Sequence, residues 1–142
     1  MCLLCAFNFS DLQTSYRGPG TDAISGIFPT FAAMMKNKDE TKDAELKDAL
    51  TTELSKLNTH LSEKGGSIDN FILCGNLCEI DCQILPKLRH VQVAGRHYKN
   101  YEIRAEFTAL LDYIKCGHDH SVFKATCPAD KEIIWGWSKF FS

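Results

Sequence analysis

Apolar and polar positions along the chain recur at helical spacing, and they divide it into segments. In `TDAISGIFPTFAAMMKNK`, Ile24, Ile27, Phe28, Phe31, Met34 and Met35 fall on one stripe, with Thr21 or Asp22 as the expected cap. Pro29 inside that stripe predicts a kink or a late start. A charged stretch, `NKDETKDAE`, then leads into the clearest helix. Leu46, Leu50, Leu54, Leu57 and Leu61 line one face, Lys, Glu, Thr and Asn fill the other, and Gly65 and Gly66 close the end.

The next segment, `LCEIDCQILPKLRHVQVAGRHY`, is apolar nearly all round through Ile80, Cys82, Ile84, Leu85, Leu88, Val91 and Val93, which predicts a central, buried helix. `RAEFTALLDYIKC` predicts another amphipathic helix through Phe107, Leu110, Leu111 and Ile114. A loop, a short `HSVFKAT` turn and a terminal `PADKEIIWGW` segment follow. Alternating strand patterns and Asn-Gly or Asp-Gly hairpin turns are missing, so the expected class is all-α with five or six helices. Residues 1–21, ending in `YRGPGTD`, read as an irregular apolar leader, and residues 22–142 as the helical domain.

Composition narrows the function classes. A chain of 142 residues has single-domain length. Its net charge of −2, with both signs interleaved, gives no electrostatic footprint for nucleic acid. No apolar run of about 18 residues is present to span a bilayer, so no transmembrane role is expected. The first residues have neither the basic n-region of a signal peptide nor the arginines of a transit peptide, which fits a cytoplasmic or organellar matrix or stromal setting.

The seven cysteines show no regular disulfide framework and are expected to be mostly reduced and packed as small apolar residues. Cys74, Cys78 and Cys82 are spaced by four but lack the paired knuckles of a structural zinc site. The better metal candidates are Cys116, His118, His120 and Cys127, a Cys2His2 set in a short window, although two histidines in a polar loop are commonly exposed without a ligand role. No metal site is therefore expected.

Cys2 and Cys5 form a C-x-x-C pair, yet Cys2 has one residue before it, too few for the strand that would deliver a thiol to a helix N-terminus. Leu3, Leu4, Phe7 and Phe9 around them suit an interface better than catalysis. No nucleophile elbow, phosphate loop or helical zinc-protease motif occurs, so no catalytic residue is assigned. Asp81 stands three residues after Cys78, at the spacing of a capping box.

The runs `IDCQILPKL`, `HYKNYEI`, `FKATCPADKEI` and `IIWGW`, together with `GIFPTFAAMMKNKD`, resemble the C-terminal helical domain of the glutathione transferase superfamily over residues 22 to 137. Within it they are most similar to the dehydroascorbate reductases and the chloride intracellular channel proteins. The resemblance implies a glutathione transferase C-terminal-like bundle, with Pro86 as a helix kink and Asp81 as the acid of a structural cap opposite Cys78. Cys78 departs from the usual Ser or Thr cap, which implies a weaker helix start, and Gly75 lies one residue nearer the helix, which implies a tighter loop.

In that superfamily glutathione and the reactive cysteine belong to an N-terminal thioredoxin-like domain, for which the residues ahead of the helices are too few. The resemblance therefore implies no cofactor here, glutathione entering only if such a domain is supplied. The expected function is a non-catalytic helical module in protein binding, or an accessory subunit of a larger complex, an organellar one included. A protein partner or a second copy would cover the face left by that domain. The alternative is a fragment or divergent form of a glutathione-dependent dehydroascorbate reductase or glutathione transferase.

Overall fold

In the computed structural model, residues 19–63 and 79–141 are described, and their regular structure is all helical, with no strand among them. The elements are α1 (Pro19–Ser25), α2 (Ile27–Lys36), α3 (Asp43–Glu63), α4 (Glu79–His90), α5 (Arg96–Lys99), α6 (Thr108–Asp119), α7 (Ser121–Thr126) and α8 (Asp130–Ser138). Six of them have seven residues or more, so the all-α bundle of five or six helices expected from the pattern is what forms. The cysteine pair and the four apolar residues of the leader, with Cys74, Gly75 and Cys78, lie outside the described residues.

The first stripe is cut into two helices. α1 starts at Pro19, so neither Thr21 nor Asp22 caps it, and residues 19–21 are helical where an irregular leader was expected. A proline suits the first helical position because its missing N–H would have had no partner there. α2 begins after Gly26 and places Pro29 in its own first turn, where the absent donor again costs nothing. The late start is the outcome at Pro29.

α3 is the spine, with α1, α2 and α6 all packed on it. Leu50, Leu54 and Leu57 are fully buried, and Leu46 and Leu61 pack at the edge of the core. The predicted stripe of α2 is also buried, except at Phe28, which is 36% exposed. Cys82, counted among the buried positions, is exposed on α4, and Val93 is only half-buried. α4 is thus amphipathic, with Ile80, Ile84, Leu85 and Leu88 inward.

Pro86 sits within α4 without ending it. The helix then widens into a π-turn at Val91–Gly95, whose Val91, Ala94 and Gly95 are buried, before α5 closes at Asn100. Asn100 has φ 48°, the left-handed cap conformation that asparagine tolerates better than other side chains. The helix expected from Arg104 starts instead at Thr108, after a turn in which the Phe107 N–H donates to the Arg104 carbonyl at 3.1 Å. Phe107 at its cap position has no oxygen to offer, and Asn58 of α3 supplies one: the Leu110 N–H donates to Asn58 Oδ1 at 3.0 Å.

A second tie crosses the bundle. The Lys99 ammonium at the end of α5 donates to Asp43 Oδ1 at 2.9 Å and to the Asn37 carbonyl at 3.0 Å. It joins the end of α2, the start of α3 and the end of α5. Lys99 is the main reason that the Asp43 carboxyl is held below its ordinary range.

Candidate functional site

The largest exposed aromatic side chain lies on the last helix. Glu132 fixes the start of α8 by accepting the Ala129 N–H at 3.1 Å, the return half of a capping box whose other half alanine cannot complete. Within α8, Trp135 and Trp137 stand two positions apart and so point about 200° away from one another. Trp137 turns into the core at 8% exposed, and Trp135 stands out at 79%.

Trp137 is set by four neighbours. The Phe31 ring meets it edge-on at 5.2 Å between centroids, and Phe140 packs on it at 5.5 Å. The buried residues of the π-turn lie against α8, and the indole N–H donates to His90 Nδ1 at 2.9 Å. That bond fixes the tautomer, since Nδ1 must carry a lone pair and the proton of a neutral ring then sits on Nε2. Burial pushes the His90 pKa below its ordinary value, in the same direction as the bond requires.

Outside this buried pair, Phe28 of α2, Trp135, Pro128 and Phe140 border an open cleft of about 620 Å³. Gly136 lies between the two tryptophans, and a Cβ there would meet nothing within 4 Å, so the cleft runs round the helix surface at that point. Cations flank the rings. Lys87 Nζ lies 5.7 Å from the Phe28 centroid, while Lys36 and Lys139 approach Phe140 at 5.6 and 5.2 Å. A second groove, of about 790 Å³ along α3, is lined by hydroxyls and mixed charges including Thr51, Ser55, Thr59 and Arg104.

The four metal candidates are not brought together, and no cluster of three or more metal-ligating side chains occurs among the described residues. Cys116 is half-buried on α6, and His118 stacks on Phe123 at 4.8 Å. His120 caps α7, its Nδ1 accepting the Val122 N–H at 3.3 Å, and the Cys127 thiol points to the Pro128 carbonyl at 3.5 Å. Each has a local role that a short sequence window cannot distinguish from ligation. Cys82 is poorly disposed to act as a nucleophile, since burial and the Asp81 and Glu79 carboxyls raise its pKa.

Asp81 is fully buried, as the third residue of α4, and its Oδ1 accepts the Tyr113 hydroxyl of α6 at 2.8 Å. The sequence reading assigned Asp81 a cap and overlooked Tyr113, Asn58 and the His90–Trp137 pair. An unbroken aromatic spacing in `IIWGW` was the available signal for the last of these.

Acid should loosen this region first. Burial lowers the pKa of His90 and of His118, so between the ordinary histidine pKa and the lowered one the unfolded chain binds more protons than the folded chain. Stability therefore rises with pH through that window and is lost as pH falls below about 6.5. Urea midpoints measured from pH 7.5 down to 5 should show this loss, and His90→Gln, which keeps an acceptor for the indole, should show less of it.

No family profile matches the sequence. Individual proteins do. The chain is 35% identical over 119 residues to the chloride intracellular channel exl-1 of Caenorhabditis elegans, covering 83% of this chain and 46% of that protein. It is 33% identical over 111 residues to the chloride intracellular channel Clic of Drosophila melanogaster, covering 78% and 40%. Against the glutathione S-transferase DHAR2 of Arabidopsis thaliana the identity is 31% over 113 residues, covering 80% and 51%.

The crystal structure of the CLIC homologue EXC-4 from C. elegans superposes with a TM-score of 0.79 at 20% identity, over 92% of this chain and 52% of that one. The chain spans about half the length of the curated relatives it matches. No described helix is long and apolar enough to cross a membrane.

Proposed function

Because this chain belongs to the glutathione transferase superfamily through its C-terminal helical domain, we propose that it works as a non-catalytic helical module that binds other proteins. It would serve as an accessory subunit of a larger assembly in the cytoplasm or an organellar matrix. The observation that carries this reading is Trp135, an indole 79% exposed beside a cleft that also opens onto Phe28. Large aromatics left in solvent around a concavity mark interaction surfaces, since each recovers apolar transfer free energy only when a partner covers it. Glutathione enters this picture only where a thioredoxin-like domain accompanies the helices.

Size-exclusion chromatography with light scattering on the full 142-residue chain tests the reading. A species larger than the monomer, or a stable complex with a purified partner, is expected. A clean monomer that forms no complex would sink it. The 31% identity to the glutathione S-transferase DHAR2, beside the resemblance of the sequence to dehydroascorbate reductases, favours a second reading, glutathione-dependent dehydroascorbate reduction. Robust turnover by the purified chain with glutathione would select it over the first.

A further inference from the structure

We infer that α8 is a releasable arm, latched to the π-turn by the Trp137–His90 hydrogen bond, and that protonation of His90 unlatches it while the rest of the bundle stays folded. The latch stands independently of the protein-binding reading above.

The fastenings of α8 converge on one short stretch. It packs chiefly against the π-turn of Val91–Gly95, and residues on either side of that turn hold it. Arg89 donates to Asp130 Oδ1 at 2.6 Å, His90 accepts the Trp137 indole N–H at 2.9 Å, and the Tyr98 hydroxyl donates to the Ile134 carbonyl at 2.8 Å. At its start α8 has a hinge: Cys127 and Ala129 are extended, with Pro128 between them. The backbone bonds of α7 end at the Cys127 N–H and those of α8 begin at the Ala129 carbonyl, so α8 can turn away without unwinding α7.

His90 is the imidazole among these fastenings, and imidazole is the side chain whose ordinary pKa lies nearest neutrality. Its Nδ1 holds the lone pair that the indole uses, so an added proton goes there and sets two donors facing each other. The indole is buried, where an unmade bond is costly. Burial lowers the His90 pKa in the latched form, so the released form binds the proton more readily. The equilibrium for release therefore rises as pH falls, by up to about tenfold per pH unit below about 6.5. Release uncovers an apolar slot of Phe31, Val91 and Ala94, all fully buried in the latched form.

Other titratable groups surround the latch. α8 brings Glu132 and Lys139 to the cleft beside His90, and the Glu132 carboxylate is turned to the Ala129 N–H. α2 ends on Lys36, α4 carries Lys87 and Arg89, and Asp22 of α1 is exposed. None of these is an imidazole. Two further imidazoles border the other fastenings: His97 of α5 stands edge-on to Tyr98 at 4.6 Å, and His118 of α6 lies within electrostatic reach of Arg89 and Asp130. Substitution at each separates its titration from that of His90.

Amide hydrogen exchange of the full 142-residue chain, followed by NMR from pH 7.5 to 5 and corrected for the intrinsic amide rate, tests the latch. The amides of residues 134–138 should exchange through an opening of lower free energy than that of Leu50, Leu54 and Leu57 in α3. Low urea should scarcely change it, because little surface is exposed. The opening should grow by up to about tenfold per pH unit below about 6.5, together with loss of the Trp137 indole N–H signal. His90→Gln offers the indole an oxygen and cannot charge, so it should flatten this dependence in α8. His97→Gln and His118→Gln should leave it in place. Equal free energy and equal urea dependence for α8 and α3 would show that α8 leaves only with the whole fold, which overturns the arm. A pH dependence in α8 that survives His90→Gln, or that disappears in either control variant, overturns the latch.

Discussion

Asp81→Ala is expected to destabilise the fold by about 2–3 kcal/mol, lowering the thermal midpoint by roughly 10 °C. The carboxyl is fully buried between α4 and α6 and accepts the Tyr113 hydroxyl, itself fully buried, at 2.8 Å. Alanine would leave that hydroxyl without the acceptor, in a place water cannot reach, and an unmade buried hydrogen bond costs more than a made one contributes. Asp81→Asn keeps an oxygen at the same position and should lose less. Tyr113→Phe removes the donor to Asp81 and keeps the ring, so it should cost less than Asp81→Ala. A double-mutant cycle measured by urea unfolding gives the coupling between the two. Coupling indistinguishable from zero would show that the bond contributes nothing.

The second large effect is at Gly117, on the face of α6 that meets Leu85 of α4. A Cβ there would lie 2.6 Å from Leu85 Cδ1, and Leu85 is only 1% exposed, in a close-packed interior where a side chain shifts at a cost. Gly117→Ala should therefore cost about 1–3 kcal/mol through overpacking, more than the helix propensity gained. Gly136→Ala is the matched contrast, made in α8 where a Cβ meets nothing. It should stabilise by about 0.5–1 kcal/mol. Opposite signs for one substitution in two helices would locate the α4–α6 contact directly; equal signs would contradict the close approach.

Much of the bundle was legible because periodicity is local. The leucine spacing of α3 gave its buried face, the proline of α4 was tolerated where the family resemblance put it, and the stripe of α2 was right at five of its six positions. Phe28 shows why the sixth failed. It shares the helical stripe with Ile24 and Phe31, but α8 leaves a cleft where another layer would have covered it. Cys82 failed for the complementary reason, an apolar residue on the outer face of a helix that the pattern made apolar all round.

The candidate site was less legible because its parts are distant in sequence. His90 and Trp137 are 47 positions apart, and neither carries a motif that announces the other. A histidine accepting an indole N–H looks, in sequence, like any histidine at the end of a helix. The four residues weighed as metal candidates show the converse case. Proximity in the chain suggested a ligand set, whereas the short α7 and its capping histidine spread those residues apart.

The Asn58–Leu110 hydrogen bond bears on how the chain acquires its structure. The first turn of α6 draws its capping oxygen from a helix 52 positions earlier, so that turn is complete only once α3 has docked. Helix formation there is a tertiary event, and α6 cannot nucleate as an autonomous unit at that end. The order of assembly thus favours the long, leucine-faced α3 as the template on which the later half of the chain is laid down.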